Sequence, residues 1–234
     1  MRPFVSVLTP TYNRRRFIPS LIECFKSQIY PQERIEWVIL DDGTDKVGDL
    51  FTAAGLKNIR YYSEDIKLNI GAKRNKLNDL AKGDIMVCLD DDDFYFPERV
   101  SHAVYKLNSN PKVEICGSSE LHMYYTDNHA IYRLGPYGPN HATNGTMAYK
   151  RSYLKNHRYD ETVTHAEETS FLNFYKEPMI QLDPMKTMLV ISHSENTYDK
   201  KKLRTQENPM FKLTAFKISN FIRNKQLRDF YSDA

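Results

Sequence analysis

Two hydrophobic periods alternate through the first 110 residues. The runs "FVSVLT", "IEWVIL", "IRYY" and "DIMVCL" have the length of short buried strands. Between them Phe17, Ile18, Leu21, Ile22, Phe25 and Ile29 recur at helical spacing. The spacing predicts a short helical piece after Gly43 and a helix from about Gly71 to Ala81. A further helix carries Val100, Ala103, Val104 and Leu107, with Pro97 in its first turn. Strands alternating with helices predict an α/β fold whose sheet begins parallel.

The second half has another rhythm. "VEICGSSELHMYYT" and "AIYRL" flank Asp127-Asn128 in a hairpin pattern, and "GPYGPN" reads as a mobile loop. Strands around Met147 and Leu189 flank a helix expected to begin near Glu167. From about Asn208, Phe211, Ala215, Ile218 and Ile222 share one face among many Lys and Arg, which predicts a basic amphipathic helix over 208–234. Such a helix packs on its own domain, mediates self-association or, less often, lies peripherally on a membrane surface.

Composition narrows the class without choosing the chemistry. A chain of 234 residues with 41% hydrophobic and 27% charged residues is ordinary globular material. Its net charge of +3 gives no reason for a nucleic-acid partner and weakly favours small anions. Cys24, Cys88 and Cys116 lie far apart in apolar surroundings, as reduced thiols do. The N-terminus reads as a strand rather than a signal peptide, and no apolar run approaches a membrane span of ~20 residues. These features predict a soluble, cytoplasmic protein.

Candidate chemistry gathers where strands end. Thr11-Tyr12-Asn13, Asp41-Asp42 and Asp90 to Asp93 each follow an apolar run, and open α/β sheets bind ligands beyond the carboxyl ends of their strands. Turn preferences explain one such cluster but poorly explain four consecutive aspartates. Two carboxylates ~5 Å apart repel by about 3 kcal/mol at an effective dielectric of about 20. A divalent cation would turn that repulsion into attraction, and all-oxygen ligands suit Mg²⁺, Mn²⁺ or Ca²⁺ rather than zinc. The spacing does not fit an EF-hand. A few carboxylates with a substrate phosphate match Mg²⁺ or Mn²⁺ and suggest a nucleotide diphosphate. Neither GxxxxGK[ST] nor GxGxxG is present, which removes the main support for phosphate-loop NTPases and dinucleotide dehydrogenases.

The segments "VSVLTPTYNR", "VILDDGTD", "LNIGAKRNKLNDLAKGDIMVCLDDDD", "NGTMAYKRSYL", "AEETSFL" and "HSENT" occur in this order between Phe4 and Thr197. In that order they resemble the motifs of family 2 glycosyltransferases. The resemblance implies a GT-A fold: a Rossmann-like, mostly parallel central sheet flanked by helices, with a smaller mixed or antiparallel acceptor-side part. It implies one domain over 1–207, with residues 1–110 as the nucleotide-binding half and 111–207 as the acceptor-binding half. It further implies donor contacts from Pro10, Thr11, Tyr12, Arg14, Asp41, Arg74, Asp90 and Asp91. Within that set Tyr12 lies against the base, Asp41 bonds the base edge and Arg74 meets the diphosphate. Asp92 is the principal metal ligand, helped by Asp90 and His193. Glu168 is the catalytic base, with Glu167 as the other candidate. Asp42 and Thr44 serve the turn, Asp93 caps the following segment, and Lys73 and Lys76 are solvated charges.

The activity so implied is metal-dependent, inverting transfer of a single sugar from a nucleoside-diphosphate sugar, a UDP-sugar above others, to a hydroxyl of a glycan or another acceptor. Mn²⁺ or Mg²⁺ is the expected cofactor. The only tryptophan, Trp37, lies in an early strand, so the Gln-x-x-Arg-Trp segment of processive members is lacking. A sugar-1-phosphate nucleotidyltransferase would open with a Gly-rich loop that is absent between Leu8 and Arg16, and a sugar-nucleotide binding module without turnover is the other alternative.

Overall fold

The protein is described by a computed structural model covering residues 2–196, 200, 202–205 and 208–234. In the first half, β1 (Val5–Thr11), α1 (Ile18–Lys26), β2 (Ile35–Asp41), α2 (Gly48–Ala53), β3 (Ile59–Ser63), α3 (Ile70–Leu80) and β4 (Ile85–Cys88) alternate as the periodicity predicts. β5 (Phe94–Tyr95) and α4 (Arg99–Ser109) follow. Pro97 precedes the α4 cap residue Glu98 rather than lying in the first turn.

The second half contains β6 (Ile115–Gly117), β7 (Leu121–Tyr125), β8 (Ile131–Leu134), β9 (Ala148–Lys150), α5 (Glu168–Phe171), β10 (Ile180–Gln181), β11 (Met188–Ser192), α6 (Lys202–Thr205), β12 (Phe211–Leu213) and α7 (Lys225–Ser232). Seven strands form one sheet in the order β10-β6-β9-β4-β1-β2-β3, and five form another in the order β12-β8-β7-β11-β5. Within the first sheet β4, β1, β2 and β3 are parallel neighbours, while β9 runs antiparallel to β4 and β6. Every residue of β1 and β2 is buried, as central parallel strands covered on both faces require.

Alternation divides the core into two layers. Val5, Val7, Trp37, Ile39, Ile85 and Val87 point to one side of the sheet, where α1 contributes Leu21 and Phe25. Leu8, Val38, Leu40, Met86 and Cys88 point to the other, against Leu77 of α3. The three cysteines are free and buried. Among the described residues, no helix is long and apolar enough to cross a membrane.

Two further expectations change, while the helix expected near Glu167 is present. The segment 113–126 is not one strand: Ser118 to Glu120 separate β6 in the first sheet from β7 in the second, and only β7 and β8 make the hairpin. The helix near Glu167 is one turn long. The tail over 208–234 is not one amphipathic helix, because β12 pairs with β8 before Ile218–Asn220 form a 3₁₀ turn and α7 follows. Sheet pairing of Phe211 and burial of Phe221, Ile222 and Tyr231 in the main core spend the apolar face on the chain's own domain.

Candidate active site

The acidic run joins the two sheets. β4 ends at Cys88 in one and β5 begins at Phe94 in the other, so Asp90 to Asp93 span the gap. β1, the parallel neighbour of β4, and β2 beyond it deliver Tyr12 to Arg14 and Asp41-Asp42 to the same rim.

The four aspartates meet different partners. Asp90 accepts from Arg74 Nη2 at 3.0 Å, and its backbone N–H donates to Tyr95 Oη at 2.6 Å. Asp92 accepts from His193 Nε2 at 3.1 Å and Asn196 Nδ2 at 3.2 Å. The Nε of Arg14 lies 3.9 Å from Asp91 and 3.8 Å from Asp92. Burial alone would raise Asp92, but the His193 hydrogen bond and the charges of Lys200 and Arg14 outweigh it and hold this carboxyl well below the usual range. Burial and then the neighbouring Asp92 charge push Asp91 up to about 7. Asp93 does not cap its own segment. Its Oδ1 accepts from the Ile191 N–H at 2.8 Å, and its carbonyl accepts from Tyr231 Oη at 3.0 Å, tying β11 and α7 to the acidic joint.

On the opposite wall Arg74, buried in α3, donates from Nε to Glu167 Oε1 at 2.7 Å while its Nη2 holds Asp90. Glu167 is thereby committed to an ion pair. Among the described residues Glu168 forms no ion pair of its own, and burial followed by the Glu167 charge raises its carboxyl to about 7. Gly145 closes on this wall: a Cβ there would lie 2.7 Å from Asp90 Oδ2 and 3.0 Å from Tyr95 Oη.

Asp41, expected at the base edge, is engaged within the protein. It is fully buried, with Oδ1 accepting from the Gly43 N–H at 2.8 Å and Oδ2 from the Val47 N–H at 2.9 Å and Tyr61 Oη at 2.6 Å. It shapes the loop after β2, and both of its carboxylate oxygens are held by the chain's own donors. Asp42 does more than serve the turn, accepting from the Leu68 N–H at 2.7 Å and from Lys73. Lys73 is therefore not a solvated helix charge but a buried cation, which also donates to the Thr11 carbonyl. Tyr12 carries the ammonium of Lys67 4.1 Å from its ring centre and that of Lys73 at 5.8 Å. Pro10 and Thr11 are buried in β1, and the Thr11 hydroxyl faces the Asp91 carboxylate. Asn13 takes a left-handed φ of 53°, and its Oδ1 accepts from the N–H groups of Thr44 and Asp45, lacing the first two loops together.

The expected metal set of Asp90, Asp92 and His193 is not assembled. Asp90 faces Arg74, and among the described residues no three His, Cys, Asp or Glu side chains are grouped to hold a metal ion. The remaining donors nevertheless fit a dication that takes most of its ligands from phosphate and water. Asp91 and Asp92 converge on one Arg14 nitrogen, and Asp92 already carries an imidazole beside it.

Several participants escaped the sequence reading. Asn196 lies inside "HSENT" but only its neighbour His193 was singled out there. Lys67, Tyr95 and the Asp42–Lys73 pair reach the site through tertiary contacts that have no local signature.

The strand order and this rim define an α/β protein of the GT-A type. Its profile match covers residues 6–174 and is to glycosyl transferase family 2; the chain belongs to that family. An uncharacterized glycosyltransferase of Rickettsia typhi is 26% identical over 139 residues, covering 57% of this chain and 41% of that protein. The chain thus spans less than half the length of that relative. Among solved structures, a mannosyltransferase from Pyrobaculum calidifontis in complex with GDP-Man and Mn²⁺ superposes with a TM-score of 0.66 at 17% identity, covering 84% of this chain and 59% of the other. TarS of S. aureus in complex with UDP-GlcNAc gives 0.63 at 17%, covering 82% and 60%. These likenesses establish the fold.

Proposed function

We propose that this chain transfers a single sugar, with inversion, from a nucleoside-diphosphate sugar, most readily a UDP-sugar, to an acceptor hydroxyl. The observation that carries the reading is the division of labour between adjacent acids. Glu167 is neutralised by Arg74, while Glu168, raised to about 7, has the affinity for a proton that a general base needs near neutral pH. Glu168 takes the proton of the acceptor hydroxyl as that oxygen bonds to the anomeric carbon and the bond to the diphosphate oxygen breaks. No covalent enzyme intermediate is required.

Arg74 and Arg14 face the charge that builds on the departing diphosphate. Asp92 and His193 would hold Mn²⁺ or Mg²⁺, with Asp91 alongside; the ion supplies charge neutralisation at the diphosphate when bound. Tyr12 offers a ring face to the base, and the ammonium groups of Lys67 and Lys73 beside it suit an anionic ligand. Both the Pyrobaculum and the S. aureus neighbours are described with sugar nucleotides, one with GDP and the other with UDP as its carrier, which supports the ligand class. The buried free thiols favour a reducing compartment, and we assign the activity to the cytoplasm.

Calorimetric titration of UDP with and without Mn²⁺ tests the donor side. Wild-type protein should bind UDP only weakly without the metal, and Asp92→Asn should weaken metal-dependent binding at least tenfold. Equal affinity in all four titrations would remove the metal from the reading.

A further inference from the structure

Beside the turn that carries Glu168, three rings follow one another. Tyr137 lies 4.9 Å from His141 with a 43° tilt, and His141 lies 4.8 Å from Tyr175 at 20°. Tyr175 Oη is 3.1 Å from Oγ1 of Thr169, the residue after Glu168. At the other end, the loop bearing Tyr137 and His141 runs directly into Asn144–Thr146, whose Gly145 abuts Asp90. The stack therefore links the Glu168 wall to the Asp90 wall.

The loop is pinned rather than mobile. Tyr137 N–H donates to the Ser119 carbonyl at 3.2 Å, and Gln181 Nε2 donates to the carbonyls of Pro139 at 2.8 Å and His141 at 3.1 Å. Gly135 at φ 86° admits this path, since a Cβ there would lie 2.1 Å from the Ser119 carbonyl oxygen.

Core packing alone does not explain the cluster. Tyr137 remains 42% exposed and neighbouring Phe174 68% exposed. Among the described residues the buried His141 Nδ1 has no hydrogen-bond partner. Asn173, Phe174 and Tyr175 have φ values of 46°, 55° and 61°, a run of left-handed residues that L side chains disfavour. Strain of this kind gathers at ligand sites, where surrounding contacts over-determine it. The exposed Tyr137 and the two rings behind it offer ring faces and phenol hydroxyls rather than a carboxylate, ammonium or guanidinium group, which suits an uncharged ligand. A pyranose has that chemistry: one face of axial C–H bonds that lies flat on an aromatic ring, and a rim of hydroxyls for the phenol groups.

We propose that Tyr137, His141 and Tyr175 form an acceptor subsite that seats a pyranose ring of a neutral saccharide and presents its hydroxyl to Glu168. The assignment of the acceptor side rests on Glu168 being the base; the saccharide site itself does not need a donor or a metal to be observed.

Saturation-transfer NMR on the full chain, without nucleotide or metal, tests it with methyl β-D-glucopyranoside, methyl α-D-mannopyranoside and methyl N-acetyl-β-D-glucosaminide as probes. At least one glycoside should show saturation concentrated on ring C–H protons. That signal should fall at least fivefold in Tyr137→Ala, an exposed position that folding tolerates, and in Tyr175→Leu. It should persist in Tyr175→Phe, which keeps the ring, and in Tyr105→Ala, an exposed tyrosine of α4 outside the stack. No transfer from any of the three probes, or an unchanged signal in Tyr137→Ala, would overturn the subsite. Because UDP and Mn²⁺ are absent, that failure is separate from a failure of the donor-side titration.

Discussion

Replacing Glu168 by Gln should stabilise the protein while abolishing its chemistry, and the stabilisation should depend on pH in a defined direction. Burial and the adjacent Glu167 raise the Glu168 carboxyl from its ordinary 4.5 to about 7. The folded chain therefore holds this proton more tightly than the unfolded chain does. The stability associated with the neutral form is fully present below about 4.5 and is lost as pH rises through about 7. At pH 8 the ionised side chain costs about 3 kcal/mol relative to its neutral form, and at pH 5 under about 1 kcal/mol. Glutamine is permanently neutral and nearly isosteric, so Glu168→Gln should gain about 2 kcal/mol on wild type between pH 5 and pH 8, allowing for the partial exposure of the group. Urea denaturation at the two pH values measures this without donor or acceptor. A gain that is the same at both pH values within about 0.5 kcal/mol, an ordinary uncertainty for such mutant differences, would show that Glu168 titrates like an exposed glutamate. The argument for it as a base matched to neutral pH would then fail.

Transfer itself, followed as nucleoside diphosphate release, should rise about tenfold per pH unit below about 7 and level off above it, since only the ionised Glu168 accepts the proton; a flat profile from pH 5 to 8 would contradict this. Arg74→Met should destabilise the protein by about 3 kcal/mol, because it leaves Glu167 and Asp90 without their shared cation, and urea denaturation would count against the bridge if the loss stayed within about 0.5 kcal/mol, the range of ordinary surface changes. Gly145→Ala should lower transfer about tenfold with a stability loss of only about 1–2 kcal/mol, because its Cβ would fall 2.7 Å from Asp90 Oδ2. Unchanged turnover in that variant would mean that the position of Asp90 does not matter.

The alternation of periods determined the α/β architecture at the level of local sequence. β1, α1, β2, α3 and β4 lie where the apolar spacing predicts, because a strand covered on both faces must be apolar throughout and a covering helix must be apolar on one stripe. The acidic cluster was equally legible, since four adjacent like charges after a buried run need an external reason. What the cluster does with its charge was not legible. Asp90 pairs with an arginine sixteen residues away and Asp92 shares a hydrogen bond with a histidine about a hundred residues later, while Asp93 anchors two distant elements through its carboxylate and carbonyl.

The inward turn of Asp41 shows the same limit. Its three donors come from two loop N–H groups and from Tyr61 on the next strand, and only the fold brings that phenol beside it. The tail misled for a related reason. Its apolar spacing at 211, 215, 218 and 222 is compatible with a helix, but an unpaired edge at β8 offers Phe211–Leu213 main-chain hydrogen bonds that a local pattern cannot register. Sequence by itself thus determined which segments could be buried and where charge would gather. The tertiary structure decided which charges neutralise one another, because that depends on distances between residues far apart in the chain.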